Sequence, residues 1–134
     1  MAIRVVRLGS PRSRGEGLRL GTVRRPPRGV RKADFARMNY CDLWLPDLAP
    51  SAALVSSAFS QPWTPERWAM FGKRYRREMD APAARRLIRL LAALSADATF
   101  AVGCYCEDED RCHRSILRDL LVEAGARVDS LNAQ

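Results

Sequence analysis

The chain has 134 residues, of which 47% are hydrophobic and 28% charged, the balance of an ordinary globular protein long enough for one core of its own. Arg89 interrupts the longest apolar run and no apolar segment follows Arg4 and Arg7, so neither a membrane span nor a secretory signal is expected, and the expected compartment is the cytoplasm. The net charge of +8 is uneven: up to Lys32 there are ten cations against one acid, Glu16, which argues for an anionic partner, either a small ligand or nucleic acid, and for no membrane partner.

In chain order, residues 3–8 read as a short strand with β-branched Ile3, Val5 and Val6. Gly9-Ser10-Pro11 and Gly15-Glu16-Gly17 bracket a polar loop, and residues 18–23 alternate as a second strand. That strand runs into Arg24-Arg25-Pro26-Pro27-Arg28-Gly29, where two prolines forbid regular structure and hold the arginines on a stiff loop. Leu43-Trp44-Leu45 is a short apolar segment closed by Pro46, and Pro50-Ser51 opens a helix through Phe59. Thr64, Pro65 and Glu66 form a helix start with an N-cap hydroxyl, a proline in the first turn and an acid near the positive dipole end.

Along that helix Trp68, Phe71, Tyr75 and Met79 recur at spacings of three and four, which predicts one buried stripe. Asp80-Ala81-Pro82 breaks the chain, and Leu87, Ile88, Leu90, Leu91 and Leu94 form the apolar face of the next helix. Residues 99–104 are a strand, a helix follows from Arg114 with Gly125 as its cap, and residues 126–128 are a final short strand before a tail loose from about 129. Strands alternating with helices predict a single-domain, layered α/β fold over residues 1–134, with a mostly parallel sheet flanked by helices.

The densest chemistry lies where the last full strand gives way to a helix. Residues 104–114 hold three of the four cysteines, the only histidine and two arginines in eleven positions. Such strand ends are where open α/β sheets place ligands. Cys41 has no local partner and reads as a packing residue.

Four chemistries compete for the segment. Cys112 at a helix start is the candidate nucleophile, because unpaired backbone N–H groups lower a thiol pKa, with His113 as proton acceptor or orienter. The acids Glu107, Asp108, Glu109 and Asp110 oppose that shift. Cys104, Cys106 and Cys112 are zinc-type ligands, although C-x-C-x5-C lacks the C-x2-C pairs of zinc fingers; no cofactor is otherwise expected. A phosphatase-type loop starting at Cys106 is excluded, since it needs an arginine six positions after its cysteine and Arg111 comes too early. In the fourth, purely structural reading, Cys104 is a buried strand end while His113 and Arg114 satisfy backbone carbonyls.

The segment C-x-C-x5-C-H-R-S-x-L from Cys104 to Leu117 resembles the C-terminal signature of domain-of-unknown-function family 488. The loop from Arg24 to Gly29 is similar to that family's R-x-x-P-R-G, and residues 43–51 to its W-L-x-x-L-A-P-S. Phe71, Arg74, Tyr75 and Glu78 match its F-x-x-R-Y-x-x-E. Many members carry an acid where this chain has Cys106, and Trp and Asp where it has Pro26 and Val23. The resemblance implies a small cytosolic, mainly bacterial α/β domain and no particular reaction. The recurrence of Arg24, Arg28, Cys112, His113 and Arg114 in the family patterns implies one shared pocket.

The sequence therefore predicts a cleft at the strand ends. Arg24 and Arg28 face Cys112, His113 and Arg114, the three arginines bind an anion, and Cys112 and His113 supply thiol chemistry. A non-catalytic nucleic-acid-binding module and a zinc-stabilised module are the alternatives. For such a module Trp44 and Trp63 are the stacking candidates, although both read more naturally as core.

Overall fold

A computed structural model describes residues 1–129. Its sheet contains β1 (Ile3–Arg7), β2 (Arg19–Gly21), β3 (Leu43–Trp44) and β4 (Phe100–Cys104), in the spatial order β1-β4-β2-β3 with every pairing parallel. The helices are α1 (Ala52–Phe59), α2 (Pro65–Met79), α3 (Pro82–Leu94) and α4 (His113–Glu123). This is the α/β fold that the strand–helix alternation predicts. The fully buried β4 sits between β1 and β2, as a central parallel strand must. No helix among the described residues is long and apolar enough to cross a membrane.

The principal core lies between the sheet and α2, α3 and α4, with Ile3, Leu20 and Val102 meeting Tyr75, Ile88, Leu117 and Leu121. On the opposite face of β2, a side chain at Gly21 would meet Cys41 Sγ at 3.0 Å, so the segment carrying Cys41 covers that side. A smaller cluster of Leu8, Val23, Cys104 and Cys112 closes the C-terminal end of the sheet. The cysteine segment thus stands at the edge of the core.

Most of the local expectations hold. Thr64 caps α2 by accepting a bond from the Arg67 amide at 3.1 Å, and Gly125, at φ +96°, ends α4 in the left-handed conformation that glycine adopts without strain. The expected last strand is a single parallel bridge from Val128 to Ile3. Asp129 is tied to the Ile3 carbonyl and to Arg4, and the tail beyond it lies outside the described residues.

Three expectations change. Tyr75 and Met79 are buried, but Trp68 and Phe71 of the same stripe are only half covered. Leu90 and Leu94 are exposed, because α3 packs through Ile88 and Leu91 instead. Trp44 and Trp63 are exposed to 39% and 44%, so neither is core.

A buried ion pair that the charge count concealed fixes the loop between β1 and β2. Arg19 and Glu16 are both almost wholly buried and paired, and the Arg19 guanidinium also donates to the carbonyls of Ser10, Pro11 and Asn39. The one acid that precedes Lys32 is therefore an internal counter-charge. Gly17 beside it has φ +83°, and a Cβ there would lie 2.0 Å from the Thr99 carbonyl oxygen.

Burial alone would raise the Glu16 pKa, but hydrogen bonds from Arg19 and Ser13 bring it below its ordinary 4.5. The stabilisation it contributes is thus complete above that ordinary value and is lost as pH falls through the lower, folded value. Replacing Glu16 with Ala leaves Arg19 buried without a counter-charge and is expected to cost about 3–5 kcal/mol near pH 7. Urea unfolding of Glu16→Ala and the unaltered protein should show that gap, and it should narrow as pH falls below the carboxylate range.

Candidate functional site

The site begins at the end of β4, where the chain must turn from the sheet into α4. Cys104 is the last strand residue, Tyr105 and Cys106 form the turn, and a short 3-10 turn over Glu109–Arg111 leads to Cys112, the N-cap of α4. Alternation along the strand puts Cys104 and Cys106 on one side. Their sulfurs lie 3.5 Å apart. With Cys112, all three sulfurs lie within 4.8 Å of one another. Cys104 and Cys112 are buried at 4% and 2% exposure, whereas Cys106 is half buried.

His113 and Arg114 hold this turn. The buried Arg114 guanidinium donates through Nη1 to the carbonyls of Cys104 at 2.8 Å and Cys106 at 2.9 Å. His113 Nε2 lies 2.6 Å from the Thr22 carbonyl oxygen, which can only accept, so the neutral ring carries its proton there. The unprotonated Nδ1 then faces Cys112 Sγ at 3.8 Å. Burial pushes the His113 pKa down to about 4, outweighing the Thr22 carbonyl, so the ring is neutral at physiological pH.

The three thiols share their protons. Hydrogen bonds from Cys104 and Cys112, helped by the charge of Arg114, draw the Cys106 pKa down against its burial. The Cys104 pKa is pushed up by its bond to Cys106, and that of Cys112 by its bonds to Cys104 and Cys106 and by burial. The direction of these shifts favours Cys106, the most exposed sulfur of the three, as the one that ionises first.

These sulfurs form the floor of a cleft of about 920 Å³ between α1, α2 and the turn, within the range of small-molecule sites. Trp63, Trp68, Phe71 and Tyr105 supply aromatic lining, and Trp68 stacks on Phe71 with centroids 5.3 Å apart. Five arginines line it against one acid, Glu66. One of them, Arg111, lies over the Trp63 ring at 4.2 Å and joins the turn to the α1–α2 connection.

The residues singled out from sequence are distributed unequally. Cys112 and His113 line the cleft floor together with Cys104 and Cys106. Arg24 lines the wall, and its guanidinium donates to the carbonyls of Pro50, Pro46 and Ala49. Arg114 lies behind the floor, directed at backbone carbonyls. Arg28 is on the far side of Tyr105, in a second and smaller pocket. The expected face-to-face cluster of Arg24 and Arg28 with Cys112, His113 and Arg114 is thus divided between a wall, a floor and a neighbouring pocket.

Arg25, Arg74, Trp68 and Phe71 of the cleft were not foreseen as site residues. The F-x-x-R-Y-x-x-E pattern contains Phe71 and Arg74 and was the available signal. It could not reveal which of its members face a cavity.

Replacing Arg114 with Ala leaves the Cys106 carbonyl without a donor and the Cys104 carbonyl with the Leu8 amide alone. The expected loss is about 2–4 kcal/mol, since a hydrogen bond to a charged group contributes about 1.5–3 and two from one side chain are not additive. Denaturant unfolding checks this.

The sequence profile of DUF488-N3a, described as the active DUF488-N3 subclade, matches residues 3–125. No curated protein and no solved structure matches the chain. The profile spans all three stiff-loop arginines, the α2 motif and the whole cysteine turn, and the chain belongs to the DUF488 family.

Proposed function

We propose that the cleft binds an anionic, phosphate-bearing ligand and that a thiol at its floor acts on it. The observation that carries this reading is the meeting of three sulfurs at the bottom of an arginine-lined, partly aromatic cavity. Arginine suits this task because its planar fork can bind phosphate or carboxylate with two bonds.

Cys106 is the nucleophile of this proposal, because it alone of the three motif sulfurs is more than slightly exposed. Cys112, the candidate from sequence, then serves as a neighbouring proton donor, oriented by His113 Nδ1. Arg25 and Arg74 are the anion-binding arginines of the cleft, with no carboxylate within 4.0 Å among the described residues. The description of the matching subclade as active agrees with a chemical role.

The sulfur triangle also favours a second reading, a zinc ion held by Cys104, Cys106 and Cys112. Tetrahedral Zn–S bonds of about 2.3 Å place sulfurs about 3.8 Å apart. The observed separations, 3.5 Å for one pair and within 4.8 Å for all, fit that requirement. His113 Nδ1 is 3.8 Å from Cys112 Sγ but not within 4.8 Å of all three sulfurs, which leaves the fourth position to a ligand from the cleft. Three protein ligands and one open position are the pattern of catalytic rather than structural zinc.

Iodoacetamide labelling mapped by cysteine, with metal content measured on the same sample, separates the two. The thiol reading expects Cys106 to label first, Cys104 and Cys112 slowly, and less than one zinc per several chains. Slow labelling of Cys106 in metal-free protein would end it. Stoichiometric zinc, with all three cysteines protected until a chelator is added, would replace it by the metal reading.

A further inference from the structure

Beside the thiol cleft lies a second pocket of about 400 Å³, lined by Arg7, Ser10, Arg28, Tyr40 and Tyr105 among others. It is predominantly polar, whereas the cleft is predominantly apolar. Tyr105 belongs to both, and its hydroxyl donates to the Arg25 carbonyl at 2.8 Å, which fixes the ring as a saddle between them. The proline-stiffened loop distributes its arginines across that saddle, with Arg25 on the cleft side and Arg28 on the other.

We propose that the ligand is a single strand of nucleic acid, with one nucleotide in the thiol cleft and the adjoining phosphate across Tyr105 at Arg7 and Arg28. The proposal rests on the reading of the cleft as an anion site but not on which sulfur reacts there. It follows from two adjacent pockets with arginines in both and aromatic rings in the larger. A ligand with a single anionic group satisfies one pocket and leaves the other empty. A strand repeats both a flat base and a charge, and single-strand sites combine cationic tracks with aromatic stacking platforms. Trp63, Trp68 and Phe71 are the platform residues.

Glu66 is the one acid of the cleft lining, against five arginines, and the acids of the turn are held by other cations. Asp108 pairs with Arg111 and Glu109 with Arg118, while Glu107 reaches Arg7 only at 3.8 Å from a largely exposed position. Arg25, Arg28 and Arg74 have no carboxylate within 4.0 Å among the described residues. A strand phosphate can displace the exposed Arg7–Glu107 contact at little cost, because such surface pairs contribute about 0–1 kcal/mol.

The test is fluorescence anisotropy with a labelled thymidylate oligomer about twelve nucleotides long, titrated at several salt concentrations. Comparison probes are an abasic strand of equal charge, thymidine monophosphate and an oligoglutamate peptide. The oligomer should bind more tightly than all three and shield Cys106 from iodoacetamide. Arg7→Ala and Arg28→Ala, both at exposed side chains, should each weaken binding several-fold and make the salt dependence shallower by about 0.7 in log–log slope.

Equal binding of the abasic strand or the peptide would overturn the proposal in favour of a general polyanion or acidic-protein surface. So would an oligomer that binds without shielding Cys106, or a salt slope untouched by Arg28→Ala. If thymidine monophosphate binds as tightly as the oligomer, and loses affinity in Arg25→Ala and Arg74→Ala, the strand proposal fails while the anion cleft stands. If no phosphate-bearing probe binds at low salt, both fail.

Discussion

The geometry of the site depends on how the chain is held as it leaves β4 for α4. Past the end of β4 the backbone donors run out: the Cys104 carbonyl still accepts from the Leu8 amide at 2.9 Å, but that of Cys106 has no backbone donor among the described residues, and burial without a partner is costly. Arg114 resolves this from the first turn of α4 by reaching back to the carbonyls of Cys104 and Cys106. His113, one residue earlier, does the same for Thr22 beyond the end of β2. Two adjacent side chains therefore tie the helix start to two strand ends, and the turn between them has to bring Cys104, Cys106 and Cys112 together.

The walls of the cleft are set by bonds of the same kind. Arg24 donates to the carbonyls of Pro46, Ala49 and Pro50, Tyr75 donates to that of Leu48, and Glu78 accepts from the Ser51 amide and hydroxyl at the N-cap of α1. The stiff loop, the L-A-P-S segment and the α2 motif are thus parts of one hydrogen-bonded frame. Several of their polar residues hold the frame, and the unpaired Arg25, Arg28 and Arg74 project from it. A charged residue in a family pattern is in this protein as often a brace as a contact.

Much of the fold was legible in the sequence because it rests on local rules. The N-cap at Thr64, the break at Pro82, the glycine after α4 and the apolar run of β4 each act through backbone geometry or short-range periodicity. Burial was less legible. Arg19 and Glu16 look like loop charges until the sheet encloses them, and Trp68 and Phe71 continue a buried stripe whose N-terminal end lines the cleft. Periodicity gives the face of a helix and says nothing of how far its neighbours extend along it.

The sequence by itself determined that the chain folds as an α/β layer, that nearly all its cations are arginines, opposed up to Lys32 by a single acid, and that three of its four cysteines and its histidine gather where β4 gives way to α4. These follow from pattern, composition and the spacing of cysteines along a strand. Only the tertiary structure decided which of the cleft cysteines is exposed, that Arg24 and Arg114 brace carbonyls, and that Tyr105 separates Arg28 from the thiols. A side chain's task depends on which orphaned polar groups lie within its reach. That distance is set by contacts between residues far apart in sequence, and no local rule contains it.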